Sequence, residues 1–374
     1  MRIGILSLSL YVNYGGILQT YALQTALERM GHDVTFIQKR NWPLELKVKD
    51  MPIVYAKRIV KNLMGQHMPM LYEKIYNREA PIIRQNIEPF VRKHIRMKVV
   101  DDYRQICEND FDAIIVGSDQ IWRPLYVKHI ESAFLDFAKD WNNIKRVAYA
   151  ASFGTDSWEY SKSQSEHCRK LVNLFNAVSV REASAVKLCR EHFGVEAKHV
   201  LDPTMLLEAA DYMKLFKESN TPKSDGNLLC YILDENEEKA KIISSIAKEK
   251  HLKPFSVSAR PTYRYDLPVE ERIQPSVERW LRGFYDADFI VTDSFHACVF
   301  SILLRKPFLV YGNKARGMSR FVSLLEVFEL QDRIVGSMSE FKKKPLNEID
   351  WNAVNPILSV RRKEANEFLK TALC

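Results

Sequence analysis

A short apolar, β-branched run at residues 289–292 stops at polar residues, and an apolar helical pattern follows at residues 297–306. This order predicts a buried strand that feeds a helix. The turn between them then lies at the carboxyl edge of a sheet, where open α/β folds bind ligands. Asp293, Ser294 and His296 occupy that turn or the first helical turn. A helix N-terminus favours an anion, and a histidine exchanges protons near neutral pH. In the alternative interpretation, Asp293 or Ser294 only caps the helix and His296 is a packed ring.

The chain begins with the same alternation of strand and helix. Its pattern predicts a strand at residues 2–8, a helix at residues 17–27 and a second strand at residues 33–37, with Gly15 and Gly16 at the helix entrance. Glycines at this point either let a ligand approach the backbone closely or only turn the chain. The G-x-G-x-x-G spacing is missing, so a dinucleotide site is not expected.

Three further strands of the first half, predicted at residues 111–116, 146–154 and 177–182, end in polar or small residues. Because the carboxyl ends of parallel strands meet at one edge of a sheet, each of these ends could contribute to one ligand cleft. Arg181 stands at the end of the third strand, and a guanidinium binds a carboxylate or a phosphate through two parallel hydrogen bonds. The alternative is a plain surface pair between Arg181 and Glu182.

The alternation restarts after residues 217–227, whose Lys, Ser, Asn, Pro and Gly are typical of a connection between domains. A strand predicted at residues 307–312 ends in a basic, glycine-containing loop. Lys314 and Arg320 in and after this loop would face the same cleft as His296 if neighbouring strand ends converge. The alternative is that the loop is simply solvated.

The predicted fold is α/β, with parallel sheets in two Rossmann-like domains. A length of 374 residues suits two domains of ordinary size. We assign residues 1–215 to an N-terminal, acceptor-side domain, residues 216–350 to a C-terminal, donor-side domain and residues 351–374 to a final helix. Residues 39–104 form a basic helical insertion in the first domain. Within it, residues 51–64 mix apolar and basic residues at helical spacing, which indicates a helix that covers the sheet or one that lies on anionic lipid.

Composition limits the compartment and the partners. No apolar run approaches the roughly 20 residues that span a bilayer, and the first strand starts at once without an export signal. Six scattered cysteines support neither a disulfide framework nor a zinc site, so we expect a cytoplasmic protein, either free or at the inner face of the membrane. The net charge of +8 suits an anionic substrate or a membrane surface, whereas no nucleic-acid-binding signature is present.

Five segments in order along the chain resemble the polysaccharide pyruvyl transferase family, and the resemblance covers most of residues 3–330. The segments are residues 13–23 (NYGGILQTYAL), 117–122 (GSDQIW), 179–182 (SVRE), 202–204 (DPT) and 292–297 (TDSFHA). The resemblance implies two Rossmann-like halves that face each other across a central cleft, as in GT-B glycosyltransferases. It also implies transfer of the pyruvyl group of phosphoenolpyruvate to two hydroxyls of one sugar, which gives a pyruvate ketal and phosphate.

The same resemblance implies that His296 is the catalytic histidine and that Arg181 contacts the donor. Many relatives carry an arginine where this chain has Ser294, so the phosphate charge must be met elsewhere, and Arg320, Lys314 and the helix N-terminus are the candidates. Phosphoenolpyruvate is a co-substrate, and neither a cofactor nor a metal is expected. The acceptor is a saccharide of a polysaccharide or its precursor, and whether it is lipid-linked stays open.

In the expected mechanism, His296 is the general acid that protonates the methylene carbon of phosphoenolpyruvate, and Asp293 orients His296 or takes the hydroxyl proton. Arg181, Ser294, Lys314 and Arg320 are the predicted donor-binding residues. The predicted acceptor or cleft residues are Asn13, Gly15, Gly16, Gln19, Ser118, Asp119, Trp122 and Ser152. Two other functions fit the same pattern, namely a GT-B glycosyltransferase that uses a sugar nucleotide and a non-catalytic protein that binds a glycan or an anion.

Overall fold

The computed structural model describes residues 1–65, 69–312, 317–344 and 346–374, and it contains two separate parallel sheets. The strands of the first sheet are β1 (Arg2–Leu6), β2 (Asp33–Lys39), β3 (Met97–Val100), β4 (Ala113–Gly117), β5 (Lys145–Ala151), β6 (Ala177–Val180) and β7 (Lys198–His199). Those of the second sheet are β8 (Leu228–Tyr231), β9 (Pro254–Phe255), β10 (Phe289–Thr292), β11 (Phe308–Tyr311) and β12 (Ile334–Val335).

The helices lie between these strands, as expected for parallel sheets whose strands need crossover connections. They are α1 (Tyr14–Arg29), α2 (Met51–Leu63), α3 (Tyr72–Arg84), α4 (Glu88–His94), α5 (Lys162–Val172), α6 (Ala183–Leu188), α7 (Ala209–Glu218), α8 (Glu237–Glu249), α9 (Val277–Asp286), α10 (Phe295–Leu303), α11 (Met318–Val327), α12 (Met338–Lys343) and α13 (Trp351–Leu373). None of the described helices is both long enough and apolar enough to cross a membrane.

Strand order places the switch points of both sheets beside the predicted site. The first sheet runs β3-β2-β1-β4-β5-β6-β7, so its order reverses between β1 and β4. The second runs β12-β11-β10-β8-β9 and reverses between β8 and β10. Ligands bind outside the carboxyl ends of strands at such reversals. The loops after β1 and β4 carry Asn13 and Ser118 with Asp119, and the loop after β10 leads into the first turn of α10, which carries His296.

The two domains share one continuous apolar core that includes residues of both sheets. Tyr14, at the start of α1, stacks on Trp280 of α9 at 5.6 Å, and its hydroxyl donates to the carbonyl oxygen of Pro275 at 2.7 Å. Tyr212 meets Phe300 of α10 edge-on at 4.9 Å. This packing brings the N-terminal ends of α1 and α10 together, and the candidate site forms between them.

The predicted final helix is confirmed as α13, and it packs on the first domain. Phe368 lies 6.2 Å from Tyr149 of β5, and Lys145 donates to the carbonyl oxygen of Leu373 at 3.0 Å. Arg362 donates to the carbonyl oxygen of Met205 at 2.7 Å. The chain therefore crosses to the second domain and returns to the first.

The segment at residues 39–104 is less purely helical than predicted. It contains α2, α3 and α4, but it ends in β3, which pairs in parallel with β2 from Phe36↔Met97 to Lys39↔Val100. The run Met97–Val100 is short and half exposed, so its apolar pattern is too weak to distinguish an edge strand from a loop.

Candidate active site

His296 lies where the two domains touch. It stands in the first turn of α10, after the extended N-cap Ser294, and only 8% of the residue is exposed. Its ring lies against Gly15 in the first turn of α1, so closely that a Cβ on Gly15 would be 2.0 Å from His296 Nδ1. Asn13 caps α1 by accepting a hydrogen bond from the Gly15 N–H at 3.1 Å. Gly15 therefore allows a side chain to approach the backbone of α1 closely. The group that approaches is the ring of His296 and not the ligand that the sequence interpretation had considered.

Asp202 is the carboxylate beside this histidine. Its Oδ2 lies 3.7 Å from His296 Nε2 and accepts hydrogen bonds from Gln19 Nε2 at 2.5 Å and from Arg181 NH1 at 3.0 Å. Its Oδ1 accepts two more from the backbone N–H and the hydroxyl of Thr204, at 3.0 and 2.7 Å. Burial alone would raise the pKa of Asp202, but His296, Arg181 and Thr204 hold the pKa well below its ordinary value. Asp202 is therefore an ionised anchor in the site.

Arg181 is a buried guanidinium with one edge open. NH1 is bound to Asp202, and the guanidinium carbon lies 4.6 Å from the centre of the Phe295 ring. NH2 is 3.7 Å from Asp119 Oδ1, too far for a hydrogen bond. Among the residues that the structure describes, Nε and NH2 of Arg181 have no hydrogen-bond partner, and His296 Nε2 has none either. Buried polar atoms rarely lack a hydrogen-bond partner, and the Nε/NH2 edge of a guanidinium has the geometry that binds a carboxylate or phosphate.

A second buried guanidinium, Arg320 of α11, shares the Phe295 ring at 5.5 Å. Burial lowers the pKa of Arg320 to about 10 and the nearby charge of Arg181 adds to this, against the opposing effect of Asp119 and Glu182. Arg320 still carries its charge at neutral pH. Two neighbouring cations close to one aromatic ring, with the carboxylates of Asp119 and Glu182 near Arg320, make a site suited to an anion with more than one charge.

Ser152 belongs to the support of this site. Its hydroxyl donates to Glu182 Oε1 at 3.0 Å, and the same oxygen accepts the backbone N–H groups of Phe153 and Gly154 at 2.9 and 3.1 Å. Burial raises the pKa of Glu182. The loop also reaches the second domain, because a Cβ on Gly317, whose φ is +86°, would lie 1.9 Å from the carbonyl oxygen of Gly154. Glu182 is thus a buried group that orders this loop and not the partner in a surface pair.

The loop after β4 is strained at two consecutive residues. Ser118 and Asp119 have φ values of +43° and +50°, which non-glycine residues adopt only at a cost of about 1–3 kcal/mol each. Their side chains hold them there: Ser118 Oγ accepts from Gln19 Nε2 at 2.7 Å, and Asp119 Oδ2 accepts from Asn13 Nδ2 at 3.0 Å. Four of the predicted cleft residues therefore form one network next to Asp202.

Asp293 lies in the predicted turn, but its hydrogen bonds go to groups other than His296, which corrects its expected role beside that ring. Its carboxylate accepts from Lys239 Nζ at 2.7 Å and from two backbone N–H groups of the loop after β8, at 2.7 and 3.1 Å. Asp293 is buried, and its partners belong to the second domain. It holds the β8 loop against β10, and the position beside the imidazole belongs to Asp202.

Trp122, Gly16 and Lys314 are three further residues of the predicted site. Trp122 is 0% exposed, stacks on Phe134 at 4.8 Å and donates to the carbonyl oxygen of Ala133, so it is a core residue under the loop rather than part of the cleft surface. Gly16 is half-buried, and a Cβ there would only touch Asn13 at 3.4 Å. Lys314 lies outside the described residues.

Cavities lined by described residues offer two candidate ligand sites. One, of about 250 Å³, lies between α3 and a loop of the second domain, and we call it the tyrosine pocket; it is lined by Tyr11, Tyr72, Tyr76, Glu79, Ala80, Ile83, Thr262, Tyr263 and Tyr265. The other, of about 470 Å³, lies at the carboxyl edge of the second sheet, and we call it the sheet-edge cavity; its lining includes Asp234, Asn236, Lys239, Tyr311, Gly312, Gly336, Glu340 and Lys344.

The sequence had not assigned a role to Asp202, Phe295 or Lys239. The segment DPT was part of the family resemblance, but its aspartate comes into contact with His296 only through the packing of α1, α10 and the turn after β7. The available signal for Asp202 was its place in the DPT segment of the family resemblance, whereas Asp293 was singled out by its position after a predicted strand.

The two parallel sheets place this protein in the class of two-domain folds of the GT-B type. Its candidate site contains one histidine and two arginines that are buried at the domain junction. Within that class, the family model for polysaccharide pyruvyl transferase matches residues 13–315. The chain therefore belongs to the polysaccharide pyruvyl transferase family. No curated protein matches its sequence.

Solved structures with this fold span nearly the whole chain. UDP-GlcNAc 2-epimerase from Methanocaldococcus jannaschii is 15% identical with a TM-score of 0.51, over 94% of this chain and 93% of that one. UDP-GlcNAc 2-epimerase from Neisseria meningitidis is 12% identical with a TM-score of 0.46, over 99% and 100%. MurG from Acinetobacter baumannii is 10% identical with a TM-score of 0.42, over 98% and 97%. The first of these likenesses confirms the predicted fold of two Rossmann-like domains and says nothing about the substrate.

Proposed function

We propose that this protein transfers the pyruvyl group of phosphoenolpyruvate to two hydroxyls of one sugar, forming a pyruvate ketal and releasing phosphate. The observation that carries the proposal is that, among the described residues, the Nε/NH2 edge of buried Arg181 has no hydrogen-bond partner, while its NH1 and His296 Nε2 both lie beside Asp202 Oδ2. An anion with a carboxylate and a phosphate suits this edge and the neighbouring Arg320. The family of the chain supports the same assignment.

The donor would lie between the arginines and the N-terminus of α10. Arg181 would bind one acidic group through its open edge, and Arg320 would neutralise the other, with the N–H groups of the first turn of α10 in support. In this arrangement Arg320 supplies the charge that Ser294 lacks. Both guanidiniums already lie against the ring of Phe295, so little rearrangement is needed when the donor enters.

The proposed chemistry begins with a proton. His296, as imidazolium, donates it to the methylene carbon of the enol phosphate, and C2 becomes the electrophile. A first sugar hydroxyl adds to C2 and gives its proton to the neutral imidazole of His296. The bond from C2 to the phosphate oxygen then breaks, and a second hydroxyl adds to C2 and closes the ketal while its proton leaves with the phosphate as hydrogen phosphate. Asp202 stays ionised because its pKa is held low, and its charge stabilises the positive ring of His296.

We assign the acceptor sugar to the tyrosine pocket. Five tyrosines converge there, with Tyr72 and Tyr76 stacked at 5.8 Å and Tyr11 and Tyr76 at 5.7 Å. Tyrosines offer an apolar face for the C–H surface of a sugar ring together with hydroxyls for hydrogen bonds. Tyr11 lies two residues before Asn13, whose amide is bound to the site network. Tyr11 therefore links the lining of the pocket to the loop that carries Asn13.

The test is phosphate release from phosphoenolpyruvate in the presence of candidate acceptor glycans, followed by phosphorus NMR. The native protein is expected to release phosphate and to form a ketal. His296→Gln is expected to abolish release while its circular dichroism spectrum stays native. Native turnover by this variant would remove the acid assignment, and absence of ketal with every glycan, despite folded protein, would count against the proposed reaction.

A sugar-nucleotide glycosyltransferase is a second candidate, and the sheet-edge cavity favours it. This cavity is large enough for a nucleotide, and Gly312 and Gly336 line it at the carboxyl edge of the second sheet, where α/β folds bind such ligands. Release of a nucleoside diphosphate from a sugar nucleotide, without release of phosphate from phosphoenolpyruvate, would decide for this function. A non-catalytic binding protein would show neither product.

A further inference from the structure

Helix α2 turns an apolar stripe outward. Ile53, Val60 and Leu63 are 61%, 55% and 83% exposed, and they follow one another at intervals of seven and three residues, which places them on one side of the helix. Val48 before the helix and Met64 after it are exposed as well, at 79% and 74%. An amphipathic helix that covers a sheet usually turns its apolar side toward the core, whereas α2 turns its apolar side toward solvent.

The opposite side of α2 is fastened to the protein by Arg58, which is 5% exposed. Its NH1 donates to the carbonyl oxygen of Met70 at 2.6 Å, and its guanidinium forms an ion pair with Glu73. The same guanidinium lies 5.6 Å from the rings of both Tyr55 and Tyr72. These contacts fix the rotation of the helix, so the outward direction of the stripe is a property of the fold.

Basic residues surround the stripe. Lys57 and Lys61 are exposed on α2, Lys47 and Lys49 are exposed just before it, and the helix itself contains neither Asp nor Glu. An exposed apolar stripe with lysines along it is the pattern of a helix that lies in the interface of an anionic membrane. A second copy of this chain would bring like charges together at the stripe, which opposes self-association there.

We propose that α2, with Val48 and Met64 at its ends, is a docking site for an anionic lipid bilayer. The apolar side chains would enter the boundary between headgroups and acyl chains, and the lysines would contact lipid phosphates. Docking positions the tyrosine pocket close to the bilayer, because Tyr72 is both a contact of Arg58 and part of the pocket lining. This last consequence, access to a saccharide carried on a lipid, rests on the proposed function, whereas lipid binding does not.

Flotation with lipid vesicles tests the proposal without any turnover. The native protein is expected to float with vesicles of phosphatidylcholine mixed with phosphatidylglycerol and to bind phosphatidylcholine alone much more weakly. The double substitution Val60→Glu with Leu63→Glu is expected to lower the partition coefficient at least about tenfold, because two apolar contacts are lost and two negative charges added. The matched control is Val360→Glu, since Val360 on α13 is 56% exposed and Val60 is 55%.

Two further measurements separate the mechanisms. Lys57→Ala and Lys61→Ala are each expected to weaken binding to the anionic vesicles about fivefold and to leave binding to neutral vesicles unchanged. Leu63→Trp is expected to show a blue shift of tryptophan emission when anionic vesicles are added. Equal flotation of native protein and the double variant, an equal loss with the Val360→Glu control, or a dimer in solution that the double substitution dissociates would each overturn the proposal.

Discussion

Gly15 and Gly16 offer a matched pair of substitutions that tests the position of His296. They are neighbours in the first turn of α1, so an alanine at either position brings the same gain in helix propensity. Their surroundings differ sharply. A Cβ on Gly15 would lie 2.0 Å from Nδ1 of His296 and 2.4 Å from two other ring atoms, whereas a Cβ on Gly16 would meet Asn13 at 3.4 Å.

The size of the effect follows from these distances. In Gly15→Ala the ring and the helix must separate by about 1.4 Å, from 2.0 Å to the 3.4 Å at which ordinary contact begins. Displacements of about 1 Å at a catalytic group lower rates by about a hundredfold. Overpacking costs about 1–3 kcal/mol, and the alanine returns about 0.5–1 kcal/mol of that by stabilising the helix. Gly16→Ala brings only the gain in helix stability without overpacking, so its effect on the free energy of unfolding is expected to be neutral to slightly stabilising.

The assay is phosphate release from phosphoenolpyruvate, with urea unfolding of both variants alongside it. Gly15→Ala is expected to lose about a hundredfold in rate with a small loss of stability, and Gly16→Ala to keep the native rate. If Gly15→Ala turned over like Gly16→Ala, the His296 ring would not contact α1 in the working enzyme, and its assignment as the acid at the domain junction would be refuted.

Three other substitutions probe the network and its ligands. Asp202→Asn is expected to lower the free energy of unfolding by about 3–5 kcal/mol in urea titrations, because it leaves buried Arg181 without its ion-pair partner. The control is Asp211→Asn, which breaks an exposed ion pair with Arg29 and is expected to lower the free energy of unfolding by less than about 1 kcal/mol. Because folding lowers the pKa of Asp202, this carboxylate stabilises the folded protein fully above its ordinary pKa, and that stabilisation is lost as pH falls through the lowered pKa. Asp202→Asn should therefore abolish this part of the pH dependence of the free energy of unfolding. A pH dependence like that of the native protein would contradict the pairing. Arg181→Lys is expected to raise the Michaelis constant for phosphoenolpyruvate, because an ammonium cannot present two parallel donors, and an unchanged constant would exclude donor contact. Tyr76→Ala is expected to raise the Michaelis constant for the acceptor alone, and an equal rise for phosphoenolpyruvate would contradict the acceptor assignment of the tyrosine pocket.

Local pattern was sufficient to predict the strands and the turns that carry the site. The run Phe289–Thr292 is apolar and buried on both faces, and a polar turn and a helix follow it, so its place in a parallel sheet is legible from the sequence. The same holds for β1, β4 and β6. Since strand ends in parallel sheets converge, the proximity of Asn13, Ser118 and Arg181 also followed from their positions.

Tertiary placement decided what the pattern could not. Asp293 follows a predicted strand and Asp202 lies in a segment for which no strand was predicted, and only the packing of α1 against α10 determines which of them meets His296. Helix α2 shows the same limit, because its periodicity specifies an apolar side and not the direction in which that side faces. Its outward orientation depends on the contacts of Arg58 with Met70 and Glu73, twelve and fifteen residues away.

Under the proposed function, Arg320 takes over the charge of the arginine that the family resemblance implies at the position of Ser294. Arg320 takes up a position against the same Phe295 ring as Arg181, and their mutual repulsion contributes to the lowered pKa of Arg320. A bound anion with two acidic groups would offset that repulsion, so donor binding is expected to gain free energy from both arginines. It follows that phosphoenolpyruvate should raise the thermal midpoint of the native protein, and that Arg320→Gln should lose most of this rise, although the variant without ligand is spared the repulsion. An unchanged rise in the variant would mean that the charge missing at Ser294 is supplied by another group.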